Sequence, residues 1–313
     1  MRPVIIISGP TASGKTSISI EAAKKFNGEI VNCDSLLFYK EMEIGTAKPT
    51  VEEMDKIKHH FISIRTPDNP LNAHEYMMSA VNTINEILSR GKTVFIVGGS
   101  GFYIQALIQG MYGSEQSSPE IRQRSDLLYD QTGISGFIKE LSVSDPESLV
   151  RYHENDHYRI RRALEYFWLT GNKFSQERLK KDKQNELKQN WNSIIHKWNL
   201  LHIYLNPPKD QHLEIISNRV HKMLSNGLIK EVQYLLSLYP NIPKPLQSIG
   251  YKEVIAYLNK QYTIEECIER VNISTRQLAK SQRTWFNKKD KLEFNPLTDI
   301  EKIISSIKEF MYE

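Results

Sequence analysis

The feature that most constrains the fold is a segment near the N-terminus, Gly9-Pro10-Thr11-Ala12-Ser13-Gly14-Lys15-Thr16. It fits the pattern G-x-x-x-x-G-K-[ST] at every fixed position. The apolar run Val4–Ile7 precedes it, and a helical pattern from Thr16 to Phe26 follows it. Strand, loop and helix in this order are the context that the pattern requires, so the segment predicts a P-loop at the start of an α/β sheet.

The residue types of this loop indicate its chemistry. Its glycines let backbone N–H groups turn towards phosphate oxygens, and the N-terminus of the following helix adds partial positive charge. Lys15 is placed to neutralise a terminal phosphate, and the hydroxyl of Thr16 to coordinate Mg²⁺. All eight residues are therefore candidates for a di- or triphosphate site, as in nucleotide-binding and ATP-binding proteins.

Further strands alternate with helices along the first third of the chain. Short apolar runs at Glu29–Asp34 and Thr93–Val97 predict strands, and Ala73–Leu88 has the pattern of an amphipathic helix. Near-continuous apolar strands separated by helices are typical of a buried parallel sheet. We predict an α/β fold with a P-loop NTPase-like parallel sheet core.

The pattern changes after about residue 112. Residues 113–190 contain no convincing strand and are rich in Arg, Lys, Glu and Gln, which predicts several helices, whereas Leu200–Leu205 has the pattern of another sheet strand. We predict an inserted all-helical domain, 113–190, in a discontinuous core formed by 1–112 and 191–313, whose C-terminal part is largely helical. Trp191 and Trp198, seven residues apart, are interpreted as packing on one helix.

Charge is distributed unevenly. The chain has 41 Lys and Arg against 37 Asp and Glu, a net charge of +4, yet residues 1–112 hold 11 of each sign. Residues 159–188 carry nine basic and four acidic side chains, and residues 276–291 carry six and one, so each segment is +5. Two such segments on an acidic background suit an anionic polymer, and the alternative is two solvated helix faces.

Polar residues follow two of the predicted strands. Asp34 ends the second strand, and Ser100 follows the strand Thr93–Val97. The carboxyl ends of parallel strands line the ligand crevice, so both side chains should face the P-loop. A carboxylate and a hydroxyl beside a phosphate group suggest activation of a nucleophile, and the alternative for Asp34 is a helix N-cap.

A nucleotide or small-molecule kinase remains an alternative function for a P-loop protein of this kind. The GTPase-like sequences at 130–133 and 287–290 lie in helical patterns, so a GTPase is set aside.

The cysteine count and the hydropathy indicate the cellular setting. Cys33 and Cys267 are the only cysteines, too few for a disulfide framework or a four-cysteine zinc site. No apolar run approaches the roughly 18 residues of a membrane span. We therefore expect a cytoplasmic protein with no membrane partner.

Together the motifs resemble the tRNA dimethylallyltransferases (tRNA isopentenyltransferases). After the P-loop, the blocks that carry the resemblance fall in family order as Asp34-Ser35, Tyr39, Gly45-Thr46-Ala47-Lys48-Pro49, His59-His60, Gly98-Gly99-Ser100-Gly101-Phe102-Tyr103, Asn155-Asp156, Arg159, Arg162-Ala163-Leu164-Glu165, Gly227-Leu228, Ile249-Gly250-Tyr251-Lys252-Glu253 and Thr275-Arg276-Gln277-Leu278-Ala279-Lys280. Single blocks are unspecific, but the ordered set covers nearly the whole chain and is highly specific.

The resemblance implies transfer of a dimethylallyl group from its diphosphate to N6 of adenosine 37 in tRNA, with the base flipped into a channel and Mg²⁺ as cofactor. It implies that Asp34 accepts the proton of the adenine amine and that Ser100 orients the reacting groups. The P-loop then holds diphosphate, and Arg219 adds a clamp. The partners are dimethylallyl diphosphate and the anticodon stem-loop, and a monomer is expected.

The resemblance also implies a set of tRNA-binding residues, namely Asp34, Ser35, Leu36, Leu37, Ser100, Arg122, Tyr158, Arg159, Ile160, Arg161, Arg162, Gln277, Lys280 and Arg283. Arg159 and Arg162 share one helix face, as do Gln277, Lys280 and Arg283. The chain departs from the family pattern at Ser100, where Thr is commonest, at Ile215, where many members have Arg, and at Ser281, a usual basic position.

Overall fold

The computed structural model describes residues 2–110, 117–186, 198–287 and 290–312, and the side chains of all of these except residues 2 and 181–186. Within this part the chain forms two compact units, Met1–Ile108 with Trp191–Glu313, and Gln109–Asn190. The second unit begins four residues before the insertion that the sequence predicts at 113–190.

The first unit is built on one parallel sheet of six strands. In chain order the strands are β1 Arg2–Ser8, β2 Gly28–Asn32, β3 His59–His60, β4 Thr93–Gly98, β5 Trp198–Leu205 and β6 Leu292–Phe294. Their order across the sheet is β3-β2-β4-β1-β5-β6. β1 therefore lies between β4 and β5, and the loop that follows it opens at the centre of the sheet edge. The predicted α/β fold with a parallel sheet is confirmed.

Helices make up most of the rest. They are, in chain order, α1 Lys15–Lys25, α2 Val51–Met54, α3 Ala73–Ser89, α4 Gly101–Gln109, α5 Pro119–Thr132, α6 Ile134–Ser144, α7 Pro146–Arg151, α8 His157–Thr170, α9 Phe174–Glu186, α10 Lys209–Ser225, α11 Leu228–Leu238, α12 Tyr251–Leu258, α13 Ile264–Phe286 and α14 Ile300–Tyr312. A 3₁₀ turn spans Lys244–Gln247.

Alternation along β1 explains how the sheet is covered. Successive side chains of a strand point to opposite faces. Val4 and Ile6 accordingly pack with buried residues of α3 and α4, whereas Ile5 and Ile7 pack with those of α1 and α14. All four side chains are fully buried, so burial on both faces holds β1 rigidly beneath the loop that follows it.

A second core joins α10, α11, α12 and α13 in the C-terminal part of the first unit. Val220, Val232, Tyr251 and Val271 are among its buried members. α13 begins with a capping box, in which the Thr263 side chain accepts from the N–H of Glu266 and the Glu266 carboxylate accepts from the N–H of Thr263. This cap and the packed face fix the register of a 23-residue helix whose C-terminal half reaches the P-loop.

The described residues of the second unit contain helices only, α5 to α9. Its core is formed by Phe137 and Leu141 of α6 with Ile160, Ala163 and Leu164 of α8. The spacing of the three α8 residues places them on one helix face. This buries Ile160 completely, whereas its neighbour Arg159 is exposed.

One short strand was not predicted, and one local prediction was wrong. The C-terminal part contains the edge strand β6, which pairs in parallel with β5; three residues with no periodic apolar pattern give no strand signal. Trp198 is the first residue of β5 rather than part of a helix, and its indole N–H donates to Asn85 of α3. Trp191 lies outside the described residues.

Candidate active site

The P-loop connects β1 to α1 and contains residues with a positive φ. Gly14, at the N-cap of α1, has φ 78°, in the left-handed region that glycine adopts without a steric penalty. Ala12 also lies there, with φ 60°, which is unfavourable for a residue with a Cβ. Ser13 is buried, and its Oγ has no hydrogen-bond partner among the described residues. A strained loop that contains an unsatisfied buried hydroxyl is the arrangement expected of a ligand cradle.

Lys15 folds back over the loop. Its Nζ donates to the carbonyl oxygens of Gly9, at 3.1 Å, and of Pro10, at 2.7 Å. Burial lowers the pKa of Lys15 to about 8, with the nearby charge of Asp34 opposing this shift and that of Arg219 adding to it. A desolvated ammonium group held by two carbonyl oxygens keeps its attraction for an anion.

Arg219 of α10 brings a second cation to the same place. Its guanidinium donates to the carbonyl oxygen of Thr46 at 3.2 Å. Burial lowers the pKa of Arg219, and the charge of Asp34 opposes that shift. Among the ion pairs of the described residues, neither Lys15 nor Arg219 takes part, so both cations face Asp34 without a contacting carboxylate.

The segment that presents Thr46 is itself anchored. The carboxylate of Glu231 in α11 accepts hydrogen bonds from three consecutive backbone N–H groups, those of Glu43, Ile44 and Gly45, at 2.7–3.0 Å. It also accepts from the hydroxyl of Tyr251 at 2.7 Å. This network fixes the turn that ends in the Thr46 carbonyl, and with it the position of the Arg219 guanidinium.

Asp34 and Ser100 lie on the loops that follow neighbouring strands, β2 and β4. The backbone N–H of Ser35 donates to Ser100 Oγ at 3.2 Å, which joins the two loops. Asp34 Oδ1 accepts from the N–H of Leu36 at 3.2 Å, and no helix begins there, so the carboxylate closes a turn and caps no helix. Its other oxygen has no hydrogen bond among those found in the described part of the chain. This placement agrees with the prediction that both residues line the sheet edge beside the P-loop.

Gln282 of α13 is a site residue that the sequence interpretation missed. Its Oε1 accepts from the N–H of Thr11 at 2.8 Å, and its Nε2 donates to the carbonyl of Gly99 at 3.0 Å. A Cβ on Gly99 would stand 2.5 Å from Nε2, so a side chain there would displace the amide end of Gln282. One side chain thus ties the P-loop to the loop after β4. The available signal was its position on the face of α13 that includes the buried Ala279 and Phe286.

The second basic segment divides between two environments. Gln277 and Lys280 are exposed on α13, as a nucleic-acid contact requires. Arg283 instead turns into the first unit, where its guanidinium donates to Asn206 Oδ1 at 2.9 Å and to the Pro207 carbonyl at 3.1 Å. The predicted common face of these residues therefore presents two side chains to solvent and one to the protein.

The arginines of α8, in the second unit, are held by acidic partners. Arg159 pairs with Asp156 at 2.8 Å, Arg162 pairs with Glu165 at 2.7 Å, and Arg161 pairs with Asp126. Other members of the predicted tRNA set in this unit are exposed, namely Arg122 and Tyr158. Ile160 belongs to the buried core, so its side chain packs inside the unit and is not available for a contact.

The remaining predicted positions lie where the strands end. Ser35, Leu36 and Leu37 form the half-buried turn after β2. Thr16, in the first turn of α1, is exposed, and its hydroxyl makes no hydrogen bond among those of the described residues. The described residues contain no group of three or more His, Cys, Asp or Glu side chains that could hold a metal ion. The hydroxyl of Thr16 is an oxygen donor of the kind that suits Mg²⁺.

The arrangement has defined chemical abilities. Two half-buried, desolvated cations and the loop amides can hold a diphosphate, and a carboxylate beside them can accept a proton from an incoming nucleophile. None of the described helices is long and apolar enough to cross a lipid bilayer.

Comparison with known proteins connects this geometry to a family. The family model of the IPP transferases matches residues 37–289. The chain is 40% identical over 286 residues to tRNA dimethylallyltransferase 2 of Geotalea uraniireducens, which covers 91% of this chain and 89% of the relative. It is 37% identical to tRNA dimethylallyltransferase of Caldanaerobacter subterraneus subsp. tengcongensis, over 99% of this chain and 96% of the relative.

Solved structures are similar over the same extent. A tRNA isopentenylpyrophosphate transferase from Staphylococcus epidermidis has a TM-score of 0.71 at 33% identity, covering 100% of this chain and 99% of that one. A eukaryotic dimethylallyltransferase acting on tRNA has a TM-score of 0.81 at 28% identity, covering 99% of this chain and 77% of the other.

Proposed function

This chain belongs to the IPP transferase family, and on that premise we propose that it transfers the dimethylallyl group of dimethylallyl diphosphate to N6 of adenosine 37 in tRNA. It is a prenyl-transferring enzyme of the tRNA dimethylallyltransferase type. The observation that carries the proposal is the likeness to tRNA dimethylallyltransferases over nearly the whole chain, 37% identity over 99% of it in one case. The relatives named above are not kinases, so the kinase alternative is not retained.

Diphosphate binding is assigned to the P-loop cations. Lys15 and Arg219 are desolvated and lack a contacting carboxylate among the described ion pairs, so a diphosphate can satisfy both. The negative charge on the leaving oxygen grows as the C–O bond of the substrate breaks, and fixed cations in a buried site stabilise that charge. The orphaned Oγ of Ser13 supports an oxygen-rich ligand in the same loop.

Proton transfer is assigned to Asp34. The exocyclic amine forms a bond to the allylic carbon while the bond from that carbon to the diphosphate oxygen breaks, and the carboxylate of Asp34 accepts the proton that the amine releases. One oxygen of Asp34 is used by the Leu36 N–H, which leaves the other for this role. Ser100 Oγ, fixed by the Ser35 N–H, is placed to orient the amine.

The tRNA partner and its anticodon stem-loop are supported by the surface charges. A base paired or stacked in its loop cannot reach Asp34, which is half-buried at the sheet edge, so the adenine must leave the stack. The exposed Gln277 and Lys280 on one unit, and Arg122, Tyr158 and Arg159 on the other, offer contacts to phosphates and unstacked bases.

Magnesium is proposed on the oxygen donor described above. When bound, Mg²⁺ would screen the charge of the diphosphate as the C–O bond breaks. Thr16 supplies the protein hydroxyl for it. A monomer in a reducing cytoplasm remains our expectation, and the two cysteines, both buried and free, agree with a reducing setting.

An Asp34→Asn variant tests the proposal. Asparagine keeps the oxygen that accepts from Leu36 but cannot take a proton from an amine, so we expect transfer of radiolabel from dimethylallyl diphosphate to tRNA to fall about 10²–10⁴-fold. Affinity for tRNA should stay within severalfold. Asp210→Asn, an exposed position in the first turn of α10, is the matched control and should retain full transfer.

The same assay separates the proposal from its competitor. Wild-type protein that leaves tRNA unlabelled, yet moves phosphate from labelled ATP to a small acceptor, would contradict the proposed function. An equal loss of transfer and of tRNA affinity in Asp34→Asn would show that Asp34 serves binding alone.

A further inference from the structure

Two consecutive peptide groups of the P-loop are held by side chains far away in the sequence. The N–H of Thr11 donates to Gln282, and the carbonyl of Thr11 accepts from Nε2 of His212 at 2.8 Å. His212 lies in α10, 201 residues from Thr11, and only 1% of its surface is exposed. Neither residue belongs to the motif that predicts the P-loop.

The two partners of His212 define its protonation state. A carbonyl oxygen can only accept, so Nε2 must carry a hydrogen, and an arginine N–H can only donate, so Nδ1 must be unprotonated. Arg283 supplies that donor, with its guanidinium nitrogen 2.8 Å from Nδ1. The imidazole is therefore neutral and has a fixed tautomer. Burial lowers the pKa of His212, and the charges of Arg283 and Lys15 lower it further, which agrees with a neutral ring.

Arg283 is fixed in turn. Its other bonds go to the side chain of Asn206 and the carbonyl of Pro207, in the turn that follows β5. Asn206 also donates to Glu293 of β6, at 2.7 Å. The chain of contacts thus runs from the sheet edge through Arg283 and His212 to the Thr11 carbonyl, and every group along it has its partner.

The direction of the Thr11 carbonyl decides the direction of the next amide. The peptide bond is planar and trans, so the N–H of Ala12 points away from His212. Ala12 has φ 60°, a left-handed conformation that costs about 1–2 kcal/mol for a residue with a Cβ. A fixed donor to the preceding carbonyl, the Nε2–H of His212, is what holds this residue in place against that cost.

We propose that His212 is a positioning residue for the diphosphate site: through the Thr11 carbonyl, backed by Arg283, it holds the strained Ala12 peptide so that its N–H faces the bound diphosphate. This inference rests on the proposed function, since it concerns the phosphate that the P-loop binds. It does not make His212 a contact of the substrate. It assigns to Arg283 a structural part in the P-loop, in place of a contact with RNA.

The test compares His212→Leu with His212→Gln by calorimetric binding of inorganic diphosphate. Leucine has a similar volume but neither donor nor acceptor, and glutamine can donate to the Thr11 carbonyl and accept from Arg283. We expect affinity to fall about tenfold in His212→Leu, as for a lost buried hydrogen bond, and to return to within about threefold of wild type in His212→Gln. His221→Leu, an exposed histidine of the same helix, should bind like wild type.

Two further measurements distinguish positioning from general stability. Affinity for an anticodon stem-loop should be unchanged in His212→Leu, and Tm should fall by only a few degrees, roughly as for one lost buried hydrogen bond. In the transfer assay KM for dimethylallyl diphosphate should rise while KM for tRNA stays constant. Arg283→Met should weaken diphosphate binding by a similar factor, and combining it with His212→Leu should add little, because both act through one carbonyl. The Arg283→Met and His212→Gln variants carry the test if the leucine variant does not fold.

Three results would overturn the inference. Diphosphate affinity in His212→Leu equal to that of wild type would remove the positioning role while leaving the proposed function intact. A parallel loss of diphosphate affinity, stem-loop affinity and Tm would show general destabilisation. Wild-type protein that binds no diphosphate would overturn the proposed function, and this inference with it.

Discussion

The protein holds two sets of cations in opposite ways. At the P-loop, Lys15 and Arg219 are desolvated and bonded to carbonyl oxygens, and neither has a contacting carboxylate among the described ion pairs. On α8 of the other unit, the exposed Arg159 is paired with Asp156, and the half-buried Arg162 is paired with the buried Glu165. The first set is desolvated and lies near the charge of Asp34 without an ion-pair contact, whereas each member of the second set contacts an acid directly.

This difference matches two kinds of anion. A buried cation attracts a small, highly charged ligand strongly, because little solvent screens the interaction. An exposed, paired arginine contributes at most about 1 kcal/mol to stability and can exchange its acid for a phosphate of a polymer, in a way that salt screens. The contrast teaches that basic residues serve chemistry where they are buried and association where they are exposed.

The largest expected effect comes from removing a buried cation. Lys15→Met should lower transfer of the dimethylallyl group about 10²–10³-fold, because a fixed charge at the leaving group is lost. Tm at pH 7 should not fall and is expected to rise, since the folded protein no longer holds a desolvated ammonium group. Calorimetry and the transfer assay check both. A Lys15→Met protein that is less stable and still active would contradict the contrast drawn above.

The pH dependence of diphosphate binding should be the next largest effect. The pKa of Lys15 is about 8, so its charge, and with it the affinity for inorganic diphosphate, should fall up to about tenfold as pH rises from 7 to 9. In Lys15→Met this part of the decline should be missing, while the ionisation of diphosphate itself affects both proteins alike. Equal pH profiles for the two proteins would place the titrating group elsewhere.

The same pKa predicts a trend in stability. Because the pKa of folded Lys15 lies below its unfolded value of 10.5, the unfolded chain binds more protons between pH 8 and 10.5. The contribution of Lys15 to the free energy of unfolding should therefore increase with pH across that window. The Tm advantage of Lys15→Met at pH 7 should shrink accordingly at pH 10.

The smallest effect is expected at the exposed arginines. Arg159→Gln should weaken binding of tRNA severalfold and reduce the dependence of affinity on salt by about one phosphate contact, with diphosphate affinity unchanged. Binding titrations at several salt concentrations measure the slope. Arg151→Gln, at an exposed residue of α7 outside the predicted tRNA set, serves as the comparison. An unchanged slope in Arg159→Gln would show that its partner Asp156 keeps it from the RNA.

Much of the site followed from local sequence. The P-loop, the strands that precede Asp34 and Ser100, and the insertion of a helical region are all encoded in short stretches with a strong pattern. Parallel strands end at a common edge, so residues after β2 and β4 had to meet. Family membership was indicated by the order of the motifs along the chain, and this order can be recognised without predicting the fold.

The surroundings of the P-loop did not follow in the same way. Arg283 and Gln282 are adjacent in the sequence of α13, yet the resemblance to the family assigned Arg283 to RNA and gave Gln282 no role. Helical periodicity specifies which residues share a face but not what that face packs against. β6 was not predicted for a similar reason, because its three residues form a strand only by pairing with the edge of β5.

The sequence by itself determined that this chain has a P-loop that follows a strand of a parallel sheet, because strand, loop and helix signals are local; the position of that strand at the centre of the sheet came from the structure. Tertiary structure alone decided which side chains hold that loop in its strained form. Thr11 meets Gln282 across 271 residues and His212 across 201, and such contacts depend on how α10 and α13 pack against the sheet. Local propensity sets each element, but only the packing of distant elements fixes the directions of the amides on which phosphate binding depends.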